Sequence, residues 1–356
     1  MRTLAVVGGG VIGSAVAWRA AEAGWSVTVF DPAPGTGSSW VAGGMLAPLS
    51  EGWPGETEAL RFGAASLSRW PAFAQALHRT TGIDVLVATA TLTVALDAAD
   101  AADLRTIAEF AGTQGHPMRL LDRADVRNTE SALARTVRAG LLAPEPAADN
   151  RLLLQALADA GAATGVRVRP EPVTTLDDLN HDHVVLSPGA AAATLWPQLP
   201  IRPVKGEILR LRHRPGTPPP PAHVVRARVH GRSLYLVPRA NGLVVGATQY
   251  EAGFDTTVTV AGVRDLIADA EAVLPGIGEY ELAEAAAGSR PTTPDNLPLI
   301  GPLTDRVIVA AGHGRNGILG VPLTADAVLA LLAGDTLPEA KAADPHRFPQ
   351  ISGGTR

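Results

Sequence analysis

The sequence predicts a two-domain protein of mixed α/β and α+β class: a doubly wound domain assembled from separated stretches of chain, with a second, β-rich domain inserted into it. Three observations point there. The chain opens on strand, glycine turn, helix and strand, and it closes on strand, glycine turn and helix. From about 203 the pattern changes to apolar β-type runs. At 356 residues the chain also exceeds the usual single-domain size.

In chain order, "TLAVV" (3–7) is a short buried-strand pattern and "SAVAWRAAEAG" (14–24) a helix closed by Gly24. "SVTVF" (26–30) is a second strand ending at Asp31, and a parallel pair with a helical crossover follows. A helical stretch over 56–79 precedes the strand "TATLTVAL" (89–96), and "AADLRTIAEFAGTQG" (101–115) is helical up to a glycine. "RLLLQALADAGAATG" (151–165) is a helix before the strand-like "VRVRP", and "HVVLSPGAAAATLWP" (183–197) reads as strand, glycine turn and short helix. "VKGEILRLR", "SLYLVPR" and "LVVGATQY" are β-rich, with a proline-dense connector, "RPGTPPPPAH", among them. The ending returns to strand, turn and helix: "RVIVA" (306–310), then "AGHGRNGIL", a helix starting near Ile318.

Composition excludes several chemistries. Apolar residues make up 46% and charged ones 18%, enough for large cores. The formal charge of −5 argues against nucleic acid as the main partner. The chain has no cysteine, so disulfides, a thiol nucleophile and a cysteinyl cofactor link are ruled out. No apolar run reaches the ~18 residues that span a bilayer, and the opening "RTLAVVGGG" lacks a signal-peptide pattern. A cytoplasmic protein without membrane contact is the expectation; whether copies assemble into a homo-oligomer is left open.

Gly8-Gly9-Gly10-Val11-Ile12-Gly13 contains G-x-G-x-x-G between a strand and a helix, with the acidic Asp31 at the next strand's end. In that context the pattern is a Rossmann-type dinucleotide fingerprint: Gly8 for the tight turn, Gly10 for backbone approach to a pyrophosphate, Gly13 for close helix–strand packing. Amides at the helix N-terminus face the phosphates, and a carboxylate at 31 accepts from ribose hydroxyls and disfavours a 2′-phosphate. FAD and NAD share the fingerprint. The next segment, "GTGSSWVAGGMLAP" (35–48), is small, hydroxylated and glycine-rich where NAD folds usually continue with a helix. It suits a cofactor that runs on past the pyrophosphate.

With these residues the chain resembles the D-amino acid oxidase family of flavoenzymes, and in particular its glycine-oxidising branch associated with thiamine thiazole synthesis. The likeness rests on "VVGGGVIGSAVAWRAAEAG", "SSWVAGGMLAP", "PVKGE", "YLVPRANGLVVGAT", "RPTTPDNLPLIG" and "GHGRNGIL", six matches in order over nearly the whole chain. The resemblance implies a non-covalently bound FAD, a doubly wound FAD domain (1–78, 140–200 and 288–356) and a substrate domain on a large mixed β-sheet (79–139 and 201–287). It implies FAD contacts from Val11, Ile12, Asp31, Ser38, Ser39, Ala42, Gly43, Gly44, Met45 and Leu46. Val173 matches a backbone contact to adenine, and Gly189 a turn beside the cofactor. Gly312, His313, Gly314, Arg315, Asn316, Gly317, Ile318 and Leu319 would pass the flavin ring.

Three residues are implied at the substrate: Arg290 holding its carboxylate, Tyr235 assisting that grip, and Arg315 close to both flavin and substrate. Taken singly, such an arginine or strand tyrosine is more often structural; the ordered motifs favour function. The chemistry is coherent, since a guanidinium fork pairs a desolvated carboxylate through two charge-assisted bonds, after which hydride transfer from Cα to flavin N5 needs mostly positioning. Oxygen would reoxidise the flavin, giving peroxide, and the imine would hydrolyse to glyoxylate and ammonia. No candidate general base is evident, His313 has no partner for a dyad, and His181 and His183 read as surface residues rather than metal ligands. The segment after Val173 is shorter than the family's, Lys205 has no assigned role, and Ser233 and Gln249 leave the substrate open. Sarcosine, D-alanine, D-proline or another secondary amine remain alternatives, as does an FAD-binding protein without turnover.

Overall fold

The computed structural model describes residues 2–352. Met1 and residues 353–356, the outer ends of the expected segments 1–78 and 288–356, lie outside the described residues. The chain runs β1 (Thr3–Val7), α1 (Val11–Glu22), β2 (Ser26–Phe30), α2 (Ser38–Val41) and the long α3 (Thr57–Thr81). Then come β3 (Leu86–Ala88), β4 (Thr91–Ala95), α4 (Ala98–Thr113), β5 (Arg119–Leu121), α5 (Arg123–Thr129), β6 (Ala139–Ala143) and β7 (Ala147–Ala148). α6 (Asn150–Ala163), β8 (Arg167–Arg169), β9 (His183–Leu186) and α7 (Ala192–Leu195) precede the long β10 (Arg202–Arg212). β11 (Val224–Val229), β12 (Arg232–Arg239), β13 (Gly242–Gly246), α8 (Val260–Val273) and β14 (Glu281–Thr292) follow. The chain closes with β15 (Leu299–Pro302), β16 (Val307–Ala311), α9 (Val321–Leu332) and α10 (Pro349–Ser352).

Two sheets organise these elements. The first is six-stranded, in the order β15-β16-β9-β1-β2-β8, parallel except for β15. Its inner strands β16, β9, β1 and β2 are mostly apolar runs because both faces are covered there, whereas the edge strand β8, Arg167–Arg169, is exposed. One face carries a core of Val11, Val16, Trp18, Trp70, Leu153 and Leu323 from α1, α3, α6 and α9; the other packs Phe30, Leu186, Ile201 and Leu299. The second sheet is eight-stranded, in the order β14-β10-β13-β12-β11-β4-β6-β5, and antiparallel except for the β11–β4 pair. α8 packs its Leu266, Ala270 and Val273 under this sheet against Leu209, Leu236 and Val245.

Side-chain caps set several helix starts. Asp97 accepts from Asp100 N, Asp149 from Arg151 N and Leu152 N, and Thr259 from Gly262 N. α1 begins at Val11 rather than at Ser14, and its N-cap, Gly10, has no side-chain cap, which leaves that helix end to something else. Near the C-terminus the helix starts at Val321, not at Ile318; residues Gly314–Asn316 form a single 3-10 turn. Glycines at 317 and 320 delay the α-helix, and Pro322 sits in its first turn, where a missing N–H costs nothing. The expected domain switches at 139/140 and 287/288 fall inside β6 and β14, because each strand completes its pairing in the larger sheet before the chain leaves it. Between Val173 and β9 there is one 3-10 turn, Leu176–Asp178, in keeping with the short segment there. Among the described residues no helix is long and apolar enough to cross a membrane.

Candidate active site

A cavity of ≈ 760 Å³ lies between the two sheets, lined from both. At one end the β1–α1 turn supplies Gly8, Gly10, Val11 and Ile12. Gly8 has φ +107°, and a side chain there would run into the Ser187 backbone of the β9 turn. Ser39 Oγ takes the Val11 amide at 3.1 Å, tying the segment after β2 to the helix start. Asp31 accepts from Gly9 N at 2.6 Å and from Ala33 N at 2.8 Å. Each oxygen keeps lone-pair capacity for a ligand hydroxyl. Beyond it, Val173 and Gly189 line the wall.

Along the middle run Ser38, Ser39, Ala42, Gly43, Gly44 and Met45, whose backbone is held from behind. Asn150 Nδ2 donates to the carbonyls of Ser39 and Trp40, each at 2.8 Å, and Arg239 Nη2 donates to Gly43 O at 2.8 Å. Arg239 is itself ion-paired to Asp149 at 3.1 Å, and burial draws its guanidinium down to about 10. The far end is closed by His313, Gly314, Arg315, Asn316, Gly317 and Ile318. Burial pushes the His313 imidazole down to about 3, so it is neutral, with Nε2 2.9 Å from Thr324 Oγ1.

The eight-stranded sheet presents its chemistry as a row across strands. Ile208 lies opposite Gly246, Gly246 opposite Tyr235, and Tyr235 opposite Arg226. The Tyr235 ring occupies the space two glycines leave free: a Cβ on Gly43 would come within 2.7 Å of its Cε2, and one on Gly246 would overlap the phenol. Arg290, on β14, lays its guanidinium over Gly206 of β10, where a Cβ would overlap it. Arg290 Nη1 donates to Thr248 O at 3.2 Å and more loosely to Lys205 O at 3.5 Å. Among the described residues it meets no carboxylate within ion-pair distance. Burial raises the Tyr235 hydroxyl above the usual phenol range, with Arg290 and Arg239 opposing that rise, so the group stays an O–H donor.

Gly13 of the fingerprint does not line the cavity, and neither do three of the residues implied to lie along FAD, Leu46, Gly312 and Leu319. Gly13 serves packing, since a side chain there would overlap the Gly8 carbonyl. Leu46 is fully buried in the core beneath the six-stranded sheet. Gly312 has φ +78° and a Cβ there would press on Thr293, so it shapes the turn. Leu319 points into the core and offers its carbonyl to Ser66 Oγ at 2.6 Å and Trp70 Nε1 at 3.0 Å. Conversely, the structure brings in Glu51 and Arg226, paired at 2.9 Å, and the supports Asp149 and Asn150. Their partners lie far off in sequence, so no local pattern marked them. Lys205, unassigned from sequence, is buried and bonded to Asp255 at 3.1 Å, fixing the loop that carries Gln249, Phe254 and Thr256 to the cavity. His181 and His183 pack edge-on against Phe30 and Trp25.

The residues present fit FAD. A helix N-terminus whose N-cap glycine has no side chain to offer, glycine backbone with no room for side chains, serine hydroxyls and an acid at the ribose position lie along one continuous cavity. A model of the FAD dependent oxidoreductase family, DAO, matches residues 3–331. The chain is 33% identical to the glycine oxidase of Geobacillus kaustophilus (strain HTA426), over 90% of each chain. It is also 33% identical to a putative thiamine biosynthesis oxidoreductase, ThiO, of Rhizobium etli, over 92% of this chain and 95% of that one. The crystal structure of glycine oxidase from Geobacillus kaustophilus superposes with a TM-score of 0.87 at 30% identity, covering 97% of this chain and 98% of that one. On its sequence, its fold and the cavity between its sheets, the chain belongs to the DAO family of FAD dependent oxidoreductases.

Proposed function

We propose that the chain oxidises glycine or a similarly small amino acid: glycine, O2 and water give glyoxylate, ammonia and hydrogen peroxide. The observation that carries this reading is Arg290, a guanidinium on the cavity wall that has carbonyl partners but, among the described residues, no carboxylate, beside the Tyr235 hydroxyl. FAD, held along the β1–α1 turn, residues 38–45 and residues 313–318, supplies the acceptor for the hydride. The six-stranded half of the molecule holds the cofactor and the eight-stranded half the substrate.

Arg290 binds the carboxylate through its fork and Tyr235 adds a third donor, fixing the orientation of Cα. The low-dielectric walls around Tyr235 strengthen both bonds and keep water from competing. His313, neutral and engaged with Thr324, positions the 313–318 turn rather than moving a proton. The relatives named as glycine oxidase and as a thiamine biosynthesis oxidoreductase support glycine as substrate and supply of its imine to thiazole synthesis as the setting.

Anaerobic mixing of the flavin-loaded protein with glycine, sarcosine, D-alanine and D-proline tests this directly. Glycine should bleach the flavin absorbance; bleaching by none of them overturns the reading, and preferential bleaching by sarcosine or D-proline moves it to a secondary-amine oxidase. Arg290→Leu should raise KM roughly 100-fold, about 2.7 kcal/mol, with a smaller change in kcat. An unchanged KM would return Arg290 to a structural role.

A further inference from the structure

Among the described residues three arginines reach the cavity wall: Arg226, Arg290 and Arg315. Two of them share one carboxylate. Glu51 Oε1 lies 2.9 Å from Arg226 Nη2, and Oε2 lies 2.6 Å from Arg315 Nε. Glu51 and Arg226 are 11% and 17% exposed, so the pair is shielded from water. Burial penalises the Glu51 charge, but Arg226, Arg315 and Arg290 together hold its carboxyl below the usual range, and it is ionised at neutral pH.

The loop carrying Glu51 is fixed. Glu145, fully buried, accepts from the amides of Leu49 and Ser50, the latter at 3.0 Å. Arg226 Nη1 donates to both Ser50 O and Ser50 Oγ at 3.1 Å. These bonds fix the backbone next to Glu51, and its carboxylate can leave its place only by giving up the pairs with Arg226 and Arg315.

We propose that Glu51 is a specificity-determining residue that restricts the site to amino acids with a single carboxylate. It occupies donors of Arg226 and Arg315 and cancels one of their two charges. Arg290 is thereby left as the guanidinium with no carboxylate partner, sufficient for one carboxylate. A substrate with a second carboxylate reaching toward Arg226 meets an anion already bonded there, so rejection is built from repulsion as well as from missing donors. This rests on the amino acid oxidase reading above and names its substrate class.

The test compares flavin-loaded parent, Glu51→Gln and the double variant Glu51→Gln/Arg226→Gln. Calorimetry measures binding of two unreactive anions, glycolate and malonate, and steady-state kinetics compares glycine with iminodiacetate. The parent should bind glycolate about 10-fold or more tighter than malonate. Glu51→Gln should shift that ratio toward malonate by roughly 10- to 100-fold and lower the KM of iminodiacetate relative to glycine; the double variant should lose most of the gain. A parent that binds malonate as tightly as glycolate overturns the proposal, as does a ratio unmoved in Glu51→Gln. Should Glu51→Gln not fold, the parent ratio still decides. If the parent oxidises neither glycine nor iminodiacetate, the activity reading falls, while the binding ratio continues to judge Glu51 by itself.

Discussion

His313 has its imidazole buried between the C-terminal turn and α9, where only neutral imidazole is tolerated. Its folded-state value of about 3 is below the ordinary 6.5, so the unfolded chain takes up a proton first. The stability it contributes is complete above 6.5 and is lost as pH falls towards 3, on the order of 2 kcal/mol by pH 5. His313→Gln should therefore be less stable than the parent at pH 7, yet its melting temperature should fall less steeply from pH 7 to pH 5. Parallel slopes in thermal melts would contradict this. Glu145 works the other way: burial raises its carboxyl to about 7, favouring the protonated form. At this scale the sequence was informative where one residue type answers one task. Asp31 after a strand, Arg290 before a proline and the glycines of the first turn are examples. Glu51 and Arg226 were not legible, because each means something only opposite a partner that folding brings from elsewhere.

The strand β14 carries the same lesson further. Its stretch "ELAEAAAGSRPT" has the alanine and glutamate of a helix former, yet it pairs along its length with β10, Arg202 opposite Thr292 and Arg212 opposite Glu281. Tertiary pairing overrides propensity here, and it does so at the strand that bears Arg290. Register then makes Gly206 a functional glycine, since it lies diagonally across from Arg290 and leaves room for the guanidinium. Gly206→Ala should push the fork out of place and raise KM for glycine by roughly 10- to 100-fold, with Tm lowered by only a few degrees. Wild-type KM in a folded Gly206→Ala protein would show that the guanidinium tolerates displacement. The first crossover, by contrast, was readable outright from periodicity and glycine punctuation. Helix ends were less so, and Val321 starts α9 where glycines and Pro322 decide.

On the scale of the whole molecule, the cavity is lined from both sheets, and the chain crosses between them several times. Strand order accounts for what sequence could and could not show. The six-stranded sheet announces itself through apolar runs, while the extent of the larger one depends on β4, with β6 and β5 beside it, pairing with β11 across more than a hundred residues of chain. That order also has a consequence in time. β1, at 3–7, lies inside its sheet and pairs with β9 at 183–186; β9 in turn waits for β16 at 307–311. During synthesis the second edge of β1 therefore stays unpaired until 183–186 has been made, and that of β9 until 307–311 has, so an apolar edge is open to other nascent chains in the interval. Refolding from denaturant should accordingly be slow, and its yield should drop as chain concentration rises; a yield indifferent to concentration would show that β1 is protected earlier by other means. The sheet that carries the dinucleotide turn is thus completed only when its late strands arrive, and β1 keeps one edge unpaired for as long as it takes to make the residues between it and β9.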